Sequence, residues 1–310
     1  MPLLFDRLVP WLLLLMPALA MAPQAPKAAS SQEPFQRPER IGLLPAKVID
    51  ECSGLARSRR HAGILWTHND SGADPVLLAV RFDGTVVRRV ALPTTTNVDW
   101  EDIALDAADR LVVADIGDNI AARRDLVLYR LPEPDPATTD LPGRVETFRF
   151  RYPKAIDAVN AEALFVSGEV AFIVTKEPRV ARLLRLSLAT QSTSNGAAVA
   201  TPAVAATATA ELVGTVEGVQ HITGACLSAD GCHLALLTYL KVVVFDLDQP
   251  LQSDQPGPAL LATLHKATRR QQELFLGQSE AITFDGACLI IGTELGRLRS
   301  RPSLWRLTPK

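Results

Sequence analysis

Five positions in this chain share a setting that suits metal chemistry. Ser53, Glu101, Glu162, Thr223 and Glu280 each stand two residues ahead of an apolar residue that opens a short strand-like run: Leu55, Ile103, Leu164, Ala225 and Ile282. Three carboxylates and two hydroxyls brought to one point repel each other and resist ionisation unless a cation joins them. Calcium accepts several oxygen ligands in flexible geometry, and an all-oxygen set suits it better than zinc or copper. These five residues are therefore the candidate metal ligands, with calcium as the expected cofactor.

A second set of polar residues follows at a steady distance. Asp115, Lys176 and Glu294 each lie 14 residues after a ring glutamate (115 − 101, 176 − 162 and 294 − 280). His68, Asn69 and Asp70 occupy the corresponding stretch of the first unit, and Tyr239 that of the fourth. Asp118 and Asn119 lie just beyond Asp115, where ordinary turn chemistry also accounts for them. Polar groups converging at strand ends are the pattern of a ligand site. Asp70, Asp115 and Lys176 are the candidate catalytic residues. His68, Asn69, Asp118, Asn119, Tyr239 and Glu294 are candidate ligand-binding residues.

The elements that position these residues repeat. Short apolar runs between turn signals fall into groups of four strands, at a period of roughly 50–60 residues, which is the signature of propeller blades. The first group runs through Gly54–Ala56, Ile64–Thr67, Val76–Phe82 and Val86–Leu92. The third is expected to end with a strand over Ala208–Val213, and the fourth with one over Leu260–Leu264. The last group has three strands, and Arg40–Ala46 is an unassigned strand-like run before the first. Donating it to the last blade closes the ring and removes two exposed sheet edges. The expected fold is an all-β, five-bladed β-propeller with four-stranded blades. A sixth blade would need strands in Gln191–Ala206, which is rich in Ser, Thr and Ala and reads as a loop.

The ring resembles the axial calcium site of the calcium-activated nucleotidase (apyrase) family, whose members are secreted five-bladed propellers. Their Glu-x-Ser opening is similar to Glu51-Cys52-Ser53. The chain departs in having Thr223 where serine is expected, and in lacking an obvious arginine set for phosphates. The resemblance implies fold and calcium more than nucleotide hydrolysis. The stretches Trp66–Gly72 and Asp99–Asp102 also look like bacterial exported propellers of unassigned function.

Composition narrows the partners. Lys and Arg number 32 against 34 Asp and Glu, without a block of one sign, so no nucleic-acid footprint is present. Residues 1–20 read as a signal peptide: Arg7, the apolar run Leu8–Pro17, and a small-x-small cleavage site at Ala18-Leu19-Ala20. Residues 21–38 read as a Pro- and Ala-rich linker and 39–310 as the propeller. The expected location is secreted or periplasmic, with no integral membrane segment in the mature chain. In an oxidising compartment Cys226 and Cys232 can bridge across the turn Ala229-Asp230-Gly231; alternatively Cys52, Cys226, Cys232 and Cys288 are small buried hydrophobes. Three functions fit these residues. One is a metal-dependent hydrolase acting on a phosphate-containing or other oxyanion ligand, and another a lactonase or related ester hydrolase. The third is a non-catalytic propeller that binds a protein or glycan, with calcium as a structural axial ion. No Gly-x-Ser-x-Gly elbow is present, which argues against acyl-enzyme chemistry.

Overall fold

The computed structural model describes residues 33–310, apart from 141, 157, 190–206 and 296–300. The expected signal peptide, most of the linker and the Gln191–Ala206 insert therefore lie outside the described residues. No described helix is long and apolar enough to cross a membrane.

Five antiparallel blades form a propeller. Their inner strands are Gly54–Arg57, Trp100–Leu105, Ala161–Ser167, Ile222–Leu227 and Ser279–Asp285, in blades one to five. Each inner strand is an almost unbroken run of buried residues, because it is covered by its own blade and by its neighbours. Second strands such as Ile64–His68 and Val170–Thr175 are buried nearly throughout for the same reason. Outer strands such as Val86–Ala91 bury only alternate residues, as a half-solvated strand does. Apolar clusters fill the space between adjacent blades; one joins Phe165, Phe172, Leu234 and Phe245 of blades three and four.

The ring closes as the sequence predicts. Glu39–Leu43 pairs antiparallel with Ser303–Leu307 and is the outermost strand of blade five. The propeller begins earlier than the expected linker boundary, however. Phe35 forms a bridge with Pro309, and its side chain is buried in the core between blades four and five. Removing residues 1–32 should leave the melting temperature unchanged. Removal through Pro38 should cost roughly 3–5 kcal/mol through loss of the Phe35 ring, and removal through Leu43 should give aggregation from two open edges. Urea melts of the three truncations check this order; equal stability of the first and third would refute strand donation.

Two outer strands differ from expectation. Leu260–Leu264 is not a strand: Gly257–Lys266 is an α-helix, and the outer strand of blade four is Thr268–Glu273. Pro258 in the first turn and the following Ala and Leu residues favour the helix. Leu260 and Leu264, four apart, form its buried face. In blade three the outer strand is Glu211–Val216, while Ala208–Thr209 pairs in parallel with Phe150 and Arg151 of blade two. All four cysteines are free thiols; Cys52 and Cys226 are buried as small hydrophobes, whereas Cys232 and Cys288 are only half-buried.

Candidate metal centre at the channel mouth

One backbone device places the ring. In blades two to five the pairing of inner and second strands slips by one residue, between Trp100 and Asp102, Ala161 and Ala163, Ile222 and Gly224, and Ser279 and Ala281. The residues skipped are Glu101, Glu162, Thr223 and Glu280. Each is the odd residue of a β-bulge, which turns its side chain out of the blade's alternation. In blade one, Ser53 directly precedes the first paired residue, Gly54. Ser53 Oγ donates to the Glu101 carbonyl oxygen at 2.9 Å, and Thr223 Oγ1 to that of Ser279 at 2.8 Å. The hydroxyls thus tie neighbouring inner strands and keep lone pairs free to accept.

The next level down carries Gly54, Asp102, Ala163, Gly224 and Ala281, so one carboxyl shares the axis with four small residues. Asp102 Oδ1 accepts from the Ile103 N–H at 2.8 Å. Its Oδ2 accepts from Leu164 at 2.8 Å and from Ala225 at 3.3 Å. One side chain therefore links blades two, three and four across the axis. Full burial raises its carboxyl well above the usual range, against the effect of these three bonds. Sequence reading passes over Asp102 as an inner-strand neighbour of Glu101.

The second set of residues needs a change of register. Lys176, Tyr239 and Glu294 occupy equivalent positions just past the ends of their second strands, and the equivalents in blades one and two are Asp70 and Ile116. Asp115 lies one position earlier, paired with Trp100. The cause is turn length: the first hairpin of blade two turns through residues 107–109, against 168–169 and 286–287 in blades three and five. An equal spacing of 14 thus ends one residue short. Asp115 is fully buried and accepts from the Val98 and Asp99 N–H groups at 3.2 and 3.0 Å. It also pairs with Arg123 at 2.8 Å. Its oxygens position the Val98-Asp99 segment rather than face the mouth.

The other candidates divide in the same way. His68 is fully buried, edge-on to Trp100 at 5.6 Å, and burial lowers its imidazole to about 4. Asn69 Nδ2 donates to the Val48 carbonyl. Asp118 accepts from the Ala122 and Arg123 N–H groups and so caps its own turn. Asn119 accepts from Asn160 Nδ2 at 3.1 Å. These residues frame the mouth. Asp70, Lys176, Tyr239 and Glu294 line it.

The mouth is an acidic cup with two unlike sides. On one side Lys176 Nζ donates to Glu162 Oε1 at 2.6 Å and to the Tyr239 hydroxyl at 2.7 Å. The Tyr239 hydroxyl in turn donates to Glu280 Oε1 at 2.9 Å. On the other side Asp70, Asp99 and Glu101 bring carboxylate oxygens within 4.8 Å of one another. Asp99 Oδ1 is buried there without a hydrogen-bond donor. Gly117 leaves this space open, since a Cβ at that position would run into the Glu101 and Asp99 carboxylates. Asp99 is the ligand candidate that sequence reading missed. The signal is present two residues before each ring position, where every blade carries a polar residue: Glu51, Asp99, Asn160, His221 and Gln278.

Electrostatics mark the cup as short of positive charge. Burial first, then neighbouring carboxylates, raise Asp70 and Glu280 to about 8. Burial raises Glu162 to about 7 against the lowering effect of Lys176. Glu101, Asp99, Glu294 and Glu51 are raised by burial together with nearby acids. A divalent cation would remove this repulsion, and the donors on offer are all oxygens.

No protein-family model and no curated protein sequence matches the chain. Among solved structures it is similar to the PQQ-bound aldose sugar dehydrogenase of Streptomyces coelicolor, at 10% identity and a TM-score of 0.46, over 88% of this chain and 97% of that one. It is similar also to the gluconolactonase XC5397 of Xanthomonas campestris, at 15% identity and a TM-score of 0.40, over 89% and 96% of the two chains. Likeness at this level says nothing about chemistry.

Proposed function

We propose that this is an exported calcium-binding propeller whose mouth hydrolyses a small ester or phosphate-containing substrate. One observation carries the ion: Asp70, Asp99 and Glu101 bring carboxylate oxygens within 4.8 Å of one another, and none of them forms an ion pair among the described residues, whereas Glu162 opposite is paired with Lys176. Asp70, Asp99 and Glu101 would hold the ion, with Ser53 beside Glu101 and the rest of the ring around the axis. A bound calcium would supply Lewis-acid polarisation of a phosphoryl or carbonyl oxygen. Lys176 Nζ spends two of its three N–H donors on Glu162 and the Tyr239 hydroxyl, and the third can steady developing negative charge, with Tyr239, held by Glu280, fixing its position. Glu162, near 7, has the proton affinity a general base needs at neutral pH. Asp115 holds the Asp99 segment in place through its hydrogen bonds to the backbone. The nucleotidase resemblance supports the ion and leaves the substrate open, and export rests on residues 1–20.

A structural ion is the second reading, favoured by the depth of the ring, whose five members are 1–7% exposed. Turnover separates the two. A panel of phosphate monoesters and lactones, assayed with calcium and with chelator, should show calcium-dependent hydrolysis. Lys176→Met and Tyr239→Phe should each cut it about ten-fold or more, with calcium still bound. Glu101→Gln should abolish calcium binding. Calcium binding without turnover on any ester would leave the structural reading, and unaltered calcium binding in Glu101→Gln would refute the site.

A further inference from the structure

Among the described residues, Ile120, Leu240 and Phe275 are the large hydrophobic side chains more than half exposed, at 83, 66 and 84%. Two of the three face one cleft. Leu240 and Phe275, with Tyr239 and His221, line a concavity of about 580 Å³ at the mouth end of blade four. Gln220, Lys241 and Glu273 give it a polar edge. Mostly apolar walls with a few polar groups are the make-up of a small-molecule site.

The cleft is built rather than incidental. Leu240 and Lys241 donate their N–H groups to Thr238 Oγ1 at 3.2 and 3.0 Å, which fixes the turn that presents Leu240. Leu274, fully buried, donates its N–H to the Leu240 carbonyl oxygen at 2.7 Å and so sets Phe275 beside Leu240. The backbone that carries the two apolar side chains is thus fixed before any ligand arrives, which lowers the ordering cost of binding.

Tyr239 joins this cleft to the mouth. Its ring lines the cleft, and its hydroxyl lies between Lys176 Nζ and Glu280 in the acidic cup. A ligand anchored by an oxyanion in the mouth would lay its remaining part along the Tyr239 ring toward Phe275. About 150 Å³ of apolar space holds a benzene ring, so the cleft has room for an aryl group or a short acyl chain.

We infer that the Leu240–Phe275 cleft is a second subsite, which selects substrates carrying an aryl or acyl group next to the ester or phosphoryl group held in the mouth. The inference rests on the mouth being an oxyanion site and gives its substrate class: apolar esters rather than bare phosphates or free sugars.

Calorimetry on the full chain with calcium tests it, using methylphosphonate, phenylphosphonate and benzyl alcohol as probes, whose P–C and C–O bonds the proposed hydrolysis does not cleave. Phenylphosphonate should bind about ten-fold or more tightly than methylphosphonate, and should displace benzyl alcohol. In the double variant Leu240→Ser, Phe275→Ser the aryl advantage and the benzyl alcohol binding should both vanish, with methylphosphonate affinity unchanged. Both residues are exposed, so the variant should keep the wild-type melting temperature. Equal affinity for phenylphosphonate and methylphosphonate, or an advantage that survives the double variant, would overturn the subsite. Binding of benzyl alcohol to wild type alone, with neither phosphonate bound, would support the cleft and refute the oxyanion mouth. Failure of all three probes to bind would overturn the subsite.

Discussion

In chelator the protein should melt below its calcium-loaded melting temperature, and the gap should widen as pH rises from 5 to 8. The sign follows from the acidic cup. Asp70 and Glu280 are raised to about 8 and Glu162 to about 7, from ordinary values of 3.8 and 4.5. Across this window the calcium-free native state holds more protons than the unfolded chain, so its stability falls with rising pH. The stabilisation from protonated carboxyls is complete below the unfolded values and is lost as pH passes through the folded ones. Calcium needs these groups deprotonated, so its binding releases protons and its contribution grows over the same window. At free calcium about 100-fold above the dissociation constant the gain is roughly 2.7 kcal/mol, or about 5–10 °C for a domain of this size. Differential scanning calorimetry at pH 5 and 8, with calcium and with chelator, gives the four numbers needed. A chelator effect independent of pH would place any bound calcium away from these carboxylates.

Gly117→Ala is expected to damage the metal centre more than any single loss of a peripheral carboxylate. Gly117 lies in the loop after the second strand of blade two. Its N–H donates to the Asp99 carbonyl oxygen at 3.1 Å, and its own carbonyl oxygen accepts from Arg123 at 2.8 Å. The loop therefore cannot swing away to make room. An added methyl group would enter the space between the Glu101 and Asp99 carboxylates. One or both would have to turn aside, and overpacking of this kind costs about 1–3 kcal/mol. Calcium affinity should fall by about 100-fold, at the upper end of what displaced ligand-supporting groups cost. Titration calorimetry with calcium on wild type and Gly117→Ala reads the fall directly. Unchanged affinity in Gly117→Ala would mean that Asp99 and Glu101 do not act on a common ion.

Much of this molecule could be read locally. The inner strands of every blade announce themselves as short apolar runs, because a strand buried on both faces needs continuous Val, Ile, Leu and Ala, and turns need Gly and Asp. The closing strand was legible for a similar reason: a blade with three strands requires a fourth from elsewhere. The ring could be found because one register repeats in every blade. The failures have equally local causes. Leu260–Leu264 is apolar with either helical or strand spacing, and a run that short does not distinguish the two. The 14-residue spacing misplaced Asp115 because hairpin turns differ in length between blades.

The sequence by itself determined the number of blades, their order, and the oxygen-rich ring at the start of each inner strand, since these depend on patterns within a few residues of each other. The tertiary structure alone decided which carboxylates face one another. Lys176 neutralises Glu162, and Asp115 is consumed by backbone N–H groups and Arg123. Asp99, Asp70 and Glu101, drawn from two blades, are left as the group that forms no ion pair among the described residues. That outcome depends on distances across the channel axis, between residues up to 31 positions apart (101 − 70). Such distances are set by how the blades pack against each other and not by the chain near any one of these residues.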